Sequence, residues 1–68
     1  MIIKEYWIDG DTYDGGDIDL IFKKEKDAIE AYNRIKAPYK KLRAITRNNE
    51  EILLKKDFDP EYMKQFEY

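Results

Sequence analysis

The chain has 68 residues and a mass of 8.3 kDa, which is the size of one small domain over residues 1–68. Hydrophobic residues make up 43% of it, enough for a folded core even though 41% of the residues are charged. Cysteine, histidine and serine are absent, which excludes disulfides, thiolate metal sites and nucleophile–histidine pairs. We therefore expect a protein that is not an enzyme and that binds no cofactor and no metal.

The charged residues are unevenly distributed along the chain. The segment from Asp9 to Asp19 holds five aspartates and no basic residue, whereas the segment 31–49 holds six basic residues and no acidic one. The segment 57–68 is again acidic, although the whole chain has a net charge of only -2. Such a separation predicts a polarised surface that can steer charged partners.

The sequence offers no candidate for a membrane span, because its longest apolar runs are only 18–22 and 52–54. The N-terminus also lacks the charged start, the apolar stretch and the cleavage site of a secretory signal. We therefore expect a cytoplasmic protein with no membrane partner.

Two segments near the N-terminus predict the strands of a first hairpin. Residues 2–8 are rich in Ile, Tyr and Trp, and residues 17–24 show an alternating pattern that points one set of side chains inward, namely Ile18, Leu20 and Phe22. The eight-residue connection between them, residues 9–16, is rich in Asp and Gly and is long for a hairpin. It therefore indicates a mobile or functional loop.

The segment Glu25 to Lys36 predicts a helix that begins without a capping side chain, because Lys24 offers no acceptor oxygen. Pro38 disfavours helical geometry at the residue before it and ends the helix nearby. The inward stripe follows the helical spacing and consists of Ala28, Ala31, Tyr32 and Ile35.

Residues 39–47 and 51–56 predict a second hairpin around Asn48 and Asn49, and two registers are open for it. A two-residue turn would place Leu42 opposite Lys55. A three-residue loop that includes Glu50 would place Ala44 opposite Leu54, with an asparagine in the left-handed position. We favour the second register because it groups the apolar side chains on one face: Leu42, Ala44, Thr46, Ile52 and Leu54.

A short helix over residues 60–67 is expected at the end of the chain, with Asp59 as its N-cap and Pro60 in its first turn. Phe58 and Met63 have the spacing of a hydrophobic staple. The element order is then β-β-α-β-β-α. It predicts an α+β fold in which an antiparallel four-stranded sheet carries the first helix on one face.

Strand parity assigns a mostly apolar set to the face that the first helix covers: Ile2, Tyr6, Ile8, Ile18, Leu20, Phe22, Leu42, Ala44, Ile52 and Leu54. The opposite face nevertheless receives five large apolar side chains: Ile3, Trp7, Ile21, Ile45 and Leu53. Three explanations are open. The C-terminal helix covers this face through Tyr62, Met63 and Phe66; two copies of the chain meet there as a homodimer; or another macromolecule binds there, with Trp7 at the centre.

The acidic segment invites comparison with calcium loops, but an EF-hand frame that starts at Asp9 fails because its twelfth residue is Leu20 rather than glutamate. A calcium loop of another type and a catalytic carboxylate pair are weaker interpretations than a solvated turn. A further use is open: Asp11, Tyr13 and Asp14 could imitate spaced phosphates toward a basic partner protein.

The basic segment suggests nucleic acid as an alternative partner. Arg43, Arg47 and Lys55 would lie beside Trp7 on the face opposite the helix, where basic and aromatic side chains can contact phosphates and bases. A sequence pI of about 5.1 argues against this interpretation, and so do the neighbouring aspartates.

The segment FKKEKDAIEAY (22–32), followed by Pro38-Tyr39 and a basic strand that runs to Thr46-Arg47, resembles small uncharacterised proteins of bacteriophages and other mobile elements with a ββαββ order. The resemblance covers roughly residues 18–56 and is one of pattern. It implies an intracellular binder that antagonises host machinery, including defence systems.

These observations lead to one leading hypothesis and one alternative. The leading hypothesis is a non-catalytic protein-binding module, an inhibitor of a host protein in the manner of phage proteins. The alternative is a small nucleic-acid-binding protein that uses the basic strand 39–47. The candidate partner-binding residues are Trp7, Ile45, Leu53, Arg43, Arg47, Asp11, Tyr13 and Asp14.

Overall fold

The computed structural model of the chain describes residues 2–64, except for the side chain of Met63. The elements follow the predicted order: β1 (Ile3–Asp11), β2 (Asp17–Phe22), α1 (Glu25–Arg34), β3 (Tyr39–Thr46), β4 (Glu51–Phe58) and α2 (Pro60–Met63). The four strands form one antiparallel sheet with the spatial order β2-β1-β3-β4. The predicted α+β architecture is therefore confirmed.

The core lies between α1 and one face of the sheet, which we call the helix-covered face. Its buried members come from both layers: Tyr6, Ile8, Leu42 and Ala44 from the two central strands, with Ala28 and Tyr32 from α1. Partly buried side chains surround them: Ile3, Ile18, Phe22, Ile29, Ala31, Ile35 and Ile52. Removing this apolar area from water is the main contribution to the stability of the fold.

Helix α1 ends at Arg34, two residues earlier than the sequence predicts, because Ile35 is already extended. The Nζ of Lys40 on β3 donates to the carbonyl oxygens of Tyr32, at 2.7 Å, and of Ile35, at 2.8 Å. These bonds satisfy acceptors that a helix end otherwise leaves unpaired. The buried Tyr32 hydroxyl donates to Asp57 on β4, at 2.5 Å, and so links α1 to the edge of the sheet.

The start of β1 differs from the prediction because the strand contains an irregularity. Ile3 pairs with Thr46 and Glu5 pairs with Ile45, so an extra residue is accommodated between them. Such a bulge reverses the faces of the residues before it. Ile3 consequently packs against the helix-side core instead of lying on the opposite face, and Ile2 is 58% exposed instead of buried.

The second hairpin does not adopt the favoured register: next to the turn it follows neither alternative, and beyond a bulge it follows the other one, with Leu42 opposite Lys55. Ala44 pairs with Ile52, and the three-residue loop is 47–49, in which Asn49 has the expected left-handed conformation with a φ of 64°. A second irregularity follows, because Arg43 pairs with Leu53 whereas Leu42 pairs with Lys55. Leu54 is the extra residue at this bulge and is 43% exposed, contrary to its predicted inward position.

The first hairpin is longer and more ordered than the sequence suggests. Strand β1 continues into the predicted connection, so the loop has the five residues 12–16 instead of the eight residues 9–16. The Thr12 N–H donates to the Gly16 carbonyl at 2.9 Å, and the Gly16 N–H donates to the Thr12 hydroxyl at 2.7 Å. These bonds close the loop into a tight turn.

The short helix α2 begins as predicted. A carboxylate oxygen of Asp59 accepts the N–H groups of Glu61, at 3.0 Å, and of Tyr62, at 3.4 Å, which makes it the N-cap. The ring of Tyr62 packs edge-on against Tyr13 of the first loop, with a centroid distance of 5.5 Å. The predicted end of this helix at Glu67 lies outside the described residues, and so does the proposed staple to the side chain of Met63.

Candidate protein-binding surface

The face of the sheet opposite α1, which we call the outer face, carries three rows of side chains that cross all four strands. Residues joined by the antiparallel register lie side by side on one face. In the order β2, β1, β3, β4 the rows are the central row (Ile21, Trp7, Arg43, Leu53), the aspartate–lysine row (Asp19, Asp9, Lys41, Lys56) and the loop row (Asp17, Asp11, Tyr39, Phe58).

The centre of this face is a half-buried Trp7 whose neighbours fix its ring. Its Nε1 donates to Glu5 at 3.2 Å, and the guanidinium carbon of Arg43 lies 5.5 Å from the ring centroid. Glu5 also accepts a bond from Lys23 at 2.9 Å. The Lys23 and Trp7 donors hold the pKa of the Glu5 carboxyl below its usual value, so the carboxylate stays ionised.

Arg43 is the most highly connected side chain of the outer face. Its two terminal nitrogens form ion pairs with Asp9 on β1 and Glu51 on β4, and its side chain is only 19% exposed. Among the described residues, its buried Nε has no hydrogen-bond partner. The charge is thus held by two carboxylates and one aromatic ring, which fixes the guanidinium in the middle of the sheet.

Two apolar side chains of the central row are exposed to solvent, one on either side of Trp7 and Arg43. Ile21 is 57% exposed on β2, and Leu53 is 56% exposed on β4. Ile45 also lies on the outer face, between Glu5 and Glu51 in the register, but it is 2% exposed. The predicted five-residue apolar patch is therefore reduced to Ile21, Trp7 and Leu53, since Ile3 lies on the other face.

Cover by the C-terminal helix is one of the three explanations for this face, and the described residues of that helix do not provide it. Tyr62 packs on Tyr13 at the loop end of the sheet, and Ile21, Leu53 and Phe58 are each more than half exposed. The other two side chains proposed as cover, those of Met63 and Phe66, lie outside the described part of the chain. The described residues leave Ile21 and Leu53 exposed, where a second copy or a different macromolecule could bind.

The acidic candidates divide between two places. Asp11 lies on the outer face in the loop row, whereas Asp14 lies in the loop and accepts a hydrogen bond from the Thr12 hydroxyl. That bond, together with the Gly16 N–H, holds the pKa of the Asp14 carboxyl below its usual value. Tyr13 donates to Asp59 at 3.0 Å, which raises the pKa of its half-exposed phenol. Within residues 2–64 no three acidic side chains converge on a point that could hold a metal ion.

The three basic residues predicted to lie beside Trp7 are not brought together. Arg47 is exposed in the turn after β3, and its backbone N–H donates to the carbonyl of Ile2, the residue before β1. The bulge in β4 turns Lys55 to the helix-covered face, where its Nζ lies 5.9 Å from the ring centroid of Tyr32. Only Arg43 occupies the expected position, and its charge is paired.

Sequence reasoning missed the arrangement of like charges on the outer face. Asp9 lies directly opposite Asp19, Asp11 lies opposite Asp17, and Lys41 lies opposite Lys56. The aspartates follow a symmetric spacing around the loop 12–16, and this symmetry would have placed them opposite one another had the strands been extended to the loop. Directly opposed like charges oppose the pairing of strands, so their presence on an exposed face requires an explanation.

No protein-family model matches the chain, and no curated protein or solved structure is significantly similar to it. Within residues 2–64 no helix has the length and apolar character needed to span a membrane.

Proposed function

We propose that the chain is a small, non-catalytic protein-binding module whose binding surface is the outer face of the sheet. One observation carries this proposal: Ile21 and Leu53 stay exposed on either side of a fixed Trp7–Arg43 pair. Tryptophan and arginine are the residue types most enriched among side chains that dominate binding energy, and exposed apolar neighbours complete such a site.

The outer face suits a protein partner because it is already ordered. Trp7 and Arg43 are held by hydrogen bonds and ion pairs to their neighbours, so little side-chain freedom remains to be lost when a partner binds. Charged side chains surround the apolar centre and provide a polar rim. This combination of apolar centre and charged rim is typical of interfaces between proteins.

A narrower role, an inhibitor that acts in the cytoplasm by occupying a surface of a host protein, is supported by the resemblance to phage proteins. The absence of histidine, cysteine and serine from the sequence supports a role without catalysis. An inhibitor of this kind needs only an exposed, preorganised surface, and the outer face provides one.

The nucleic-acid alternative has less support. A phosphate-binding face needs several unpaired basic side chains along one path. On the outer face the aspartate–lysine row places two aspartates beside its two lysines, and Arg43 is already paired with carboxylates. The electrostatic attraction for phosphate is correspondingly small.

The experiment that tests the proposal is affinity capture from the host, using two variants at neighbouring positions of β2. Ile21 points to the outer face, and Leu20 lies opposite Ile8 on the helix-covered face, where it is 40% exposed. Ile21→Gln should weaken binding of the captured protein by roughly tenfold, because one apolar contact is worth about 1–3 kcal/mol at a binding centre. The matched control Leu20→Gln should leave binding unchanged. Equal retention by both variants would show that the outer face is not the binding surface.

A further inference from the structure

We propose that the outer face binds a second copy of this chain, in a face-to-face dimer whose two-fold axis runs parallel to the strands. This inference rests on the proposed function, because it names an occupant of the same protein-binding surface. The argument for a second copy is charge complementarity: when two outer faces meet with their strand orders reversed, opposite charges lie against each other.

A rotation about such an axis places β2 of one copy over β4 of the other, and β1 over β3. Each row that crosses the sheet then lies over the same row read in the opposite direction. Packed antiparallel sheets stack about 10 Å apart with strands aligned to within about 30°, so side chains of facing rows are within reach of each other.

The aspartate–lysine row is complementary to itself under this rotation. It reads Asp19, Asp9, Lys41, Lys56 across the sheet, which is two negative charges followed by two positive charges. After reversal, Asp19 faces the partner's Lys56, and Asp9 faces the partner's Lys41. The two-fold symmetry makes each of these contacts twice, so four opposite-charge contacts form from one row.

The central row also matches its own reversal. The two exposed apolar side chains meet, since Ile21 faces the partner's Leu53, and Trp7 faces the partner's Arg43. Lys23, which is paired with Glu5 at the edge of the sheet, is brought toward the partner's Glu51 on β4. Apolar contact at the centre and opposite charges around it are what a stable interface requires.

A second copy would also compensate charges that the single sheet leaves opposed. Asp9 lies opposite Asp19, and Lys41 lies opposite Lys56, so each pair repels within its own hairpin. In the dimer each pair faces a pair of the other sign. Within one sheet Asp9 already lies opposite Lys41 and is paired with Arg43, so the dimer adds most for Asp19 and Lys56, which lie opposite only a like charge on the two edge strands.

A two-fold axis across the strands would not give this result. It would place each strand over its own copy, so the aspartates of β1 and β2 would face acidic strands. On the described outer face, strands β1 and β2 contribute five carboxylates: Glu5, Asp9, Asp11, Asp17 and Asp19. Repulsion between these two acidic halves excludes that arrangement.

The area of the face sets the strength of the dimer. Four strands about 4.8 Å apart and about eight residues long give a face of roughly 500 Å², so two copies bury about 1,000 Å² in total. That area lies at the lower limit for specific association. We therefore expect a reversible dimer with a dissociation constant on the order of micromolar or weaker.

The test is sedimentation equilibrium of the full chain and of charge-reversal variants over a range of concentrations. Asp19→Lys and Lys56→Asp should each weaken the dimer by roughly tenfold or more, because each reversal creates two like-charge contacts. The double variant Asp19→Lys/Lys56→Asp should restore the parent affinity, since both contacts are then re-formed with the signs exchanged. Glu30→Lys, on the exposed side of α1, is the control for the change in net charge and should leave the dimer unchanged.

Urea unfolding of the same variants separates an effect on association from an effect on folding. Each single reversal removes a like-charge pair within the sheet, so the dilute monomer should unfold at the same or a higher urea concentration than the parent. Weaker association with an undiminished urea midpoint supports the proposal. A parent chain that stays monomeric up to about millimolar concentration, or a double variant that fails to recover, overturns it.

These outcomes also separate the inference from the function on which it rests. A monomeric parent whose capture of a host protein is still lost in Ile21→Gln would leave the protein-binding function standing and remove the dimer. In the opposite case, the parent forms a dimer that the charge reversals weaken, and Ile21→Gln does not affect capture of a host protein. That result would support the dimer and would show that a host protein does not bind at the outer face.

Discussion

Arg43 lies directly opposite Trp7 in the two central strands, with its guanidinium carbon 5.5 Å from the centroid of the indole ring. The same guanidinium forms ion pairs with Asp9 and Glu51, so one side chain connects β1, β3 and β4 on the outer face. The stacking of a cation on an aromatic face is strongest where water is partly excluded, as it is here. The Trp7–Arg43 pair is therefore a structural element as well as the centre of the proposed binding surface.

Arg43→Ala should destabilise the fold by about 2 kcal/mol, because it removes the cation from Trp7 and leaves two neighbouring carboxylates without their partner. Urea denaturation followed by the fluorescence of the single tryptophan measures this directly. Lys41→Ala is the matched control on the next row of β3 and should change stability by less than about 0.5 kcal/mol. An Arg43→Ala midpoint equal to that of the parent would show that the ion pairs contribute nothing.

Tyr32→Phe should destabilise the fold by about 2 kcal/mol, since it deletes the buried hydroxyl that donates to Asp57 at 2.5 Å. Tyr39→Phe is the control, because Tyr39 lies on the outer face and its ring contacts Lys56. We expect that control to change stability by less than about 0.5 kcal/mol. Equal urea midpoints for the two variants would contradict the role given to the Tyr32–Asp57 bond.

The Tyr32 hydroxyl should also make the stability of the fold depend on pH in the alkaline range. Burial, followed by the bond to Asp57, raises the pKa of Tyr32 above that of an exposed tyrosine. The folded chain keeps this proton while the unfolded chain releases it above about pH 10. The stabilisation is therefore fully present below about pH 10 and is lost as the pH rises further. The urea midpoint of the parent should be lower above pH 10 than below it, and this decrease should be smaller in Tyr32→Phe. An equal decrease in both chains would contradict the prediction.

Gly10→Ala should cost about 2 kcal/mol or more, because a Cβ at this position would lie 2.2 Å from the Tyr39 carbonyl oxygen and 2.9 Å from the Lys40 Cα. Both contacts are with backbone, so β1 and β3 would have to separate. Thermal unfolding at fixed concentration measures the loss. The neighbouring Asp11→Ala is the control and should not lower the melting temperature, since it removes a carboxylate that lies opposite Asp17. An unchanged melting temperature for Gly10→Ala would show that the strands are not this close.

Much of the fold could be predicted from local sequence patterns. The helical stripe of α1, the alternation in β2, the N-cap at Asp59 and the left-handed asparagine in the second turn all follow from rules that act within a few residues. Such rules need no knowledge of which strands meet. The pairing of β1 with β3 at the centre of the sheet does not follow from such rules, because two hairpins that flank a helix could also meet through other strands.

The bulges could not be predicted, because nothing local in the sequence marks an extra residue in a strand. One bulge moved Ile3 to the helix-covered face, and the other moved Lys55 away from Trp7 and left Leu54 exposed. Each error came from counting strand parity through a position where the register shifts. Cover of the outer face by the C-terminal helix is one of three explanations that the sequence leaves open, and of the side chains named for it only Tyr62 is described, packed on Tyr13 at the loop end of the sheet.

The outer face should bind nucleic acid weakly. Fluorescence anisotropy with mixed DNA and RNA at two salt concentrations should show no tight, steeply salt-dependent association, because Arg43 is paired and the aspartates of β1 and β2 repel phosphate. Tight binding that weakens steeply with salt, and that is lost in a variant of an exposed basic residue such as Arg47→Glu, would reverse the preference between the two functions.

The most direct test of the central claim, that the outer face is where this chain meets other protein molecules, is the NMR resonance of the Trp7 indole N–H. The chain has one tryptophan, so this signal is unique and reports on the middle of the face. We predict that it shifts continuously as the concentration of the parent rises from about 10 μM to about 1 mM, and that the shift is suppressed in Asp19→Lys. An indole resonance that stays constant over this range, both alone and in the presence of a captured host protein, would contradict the claim.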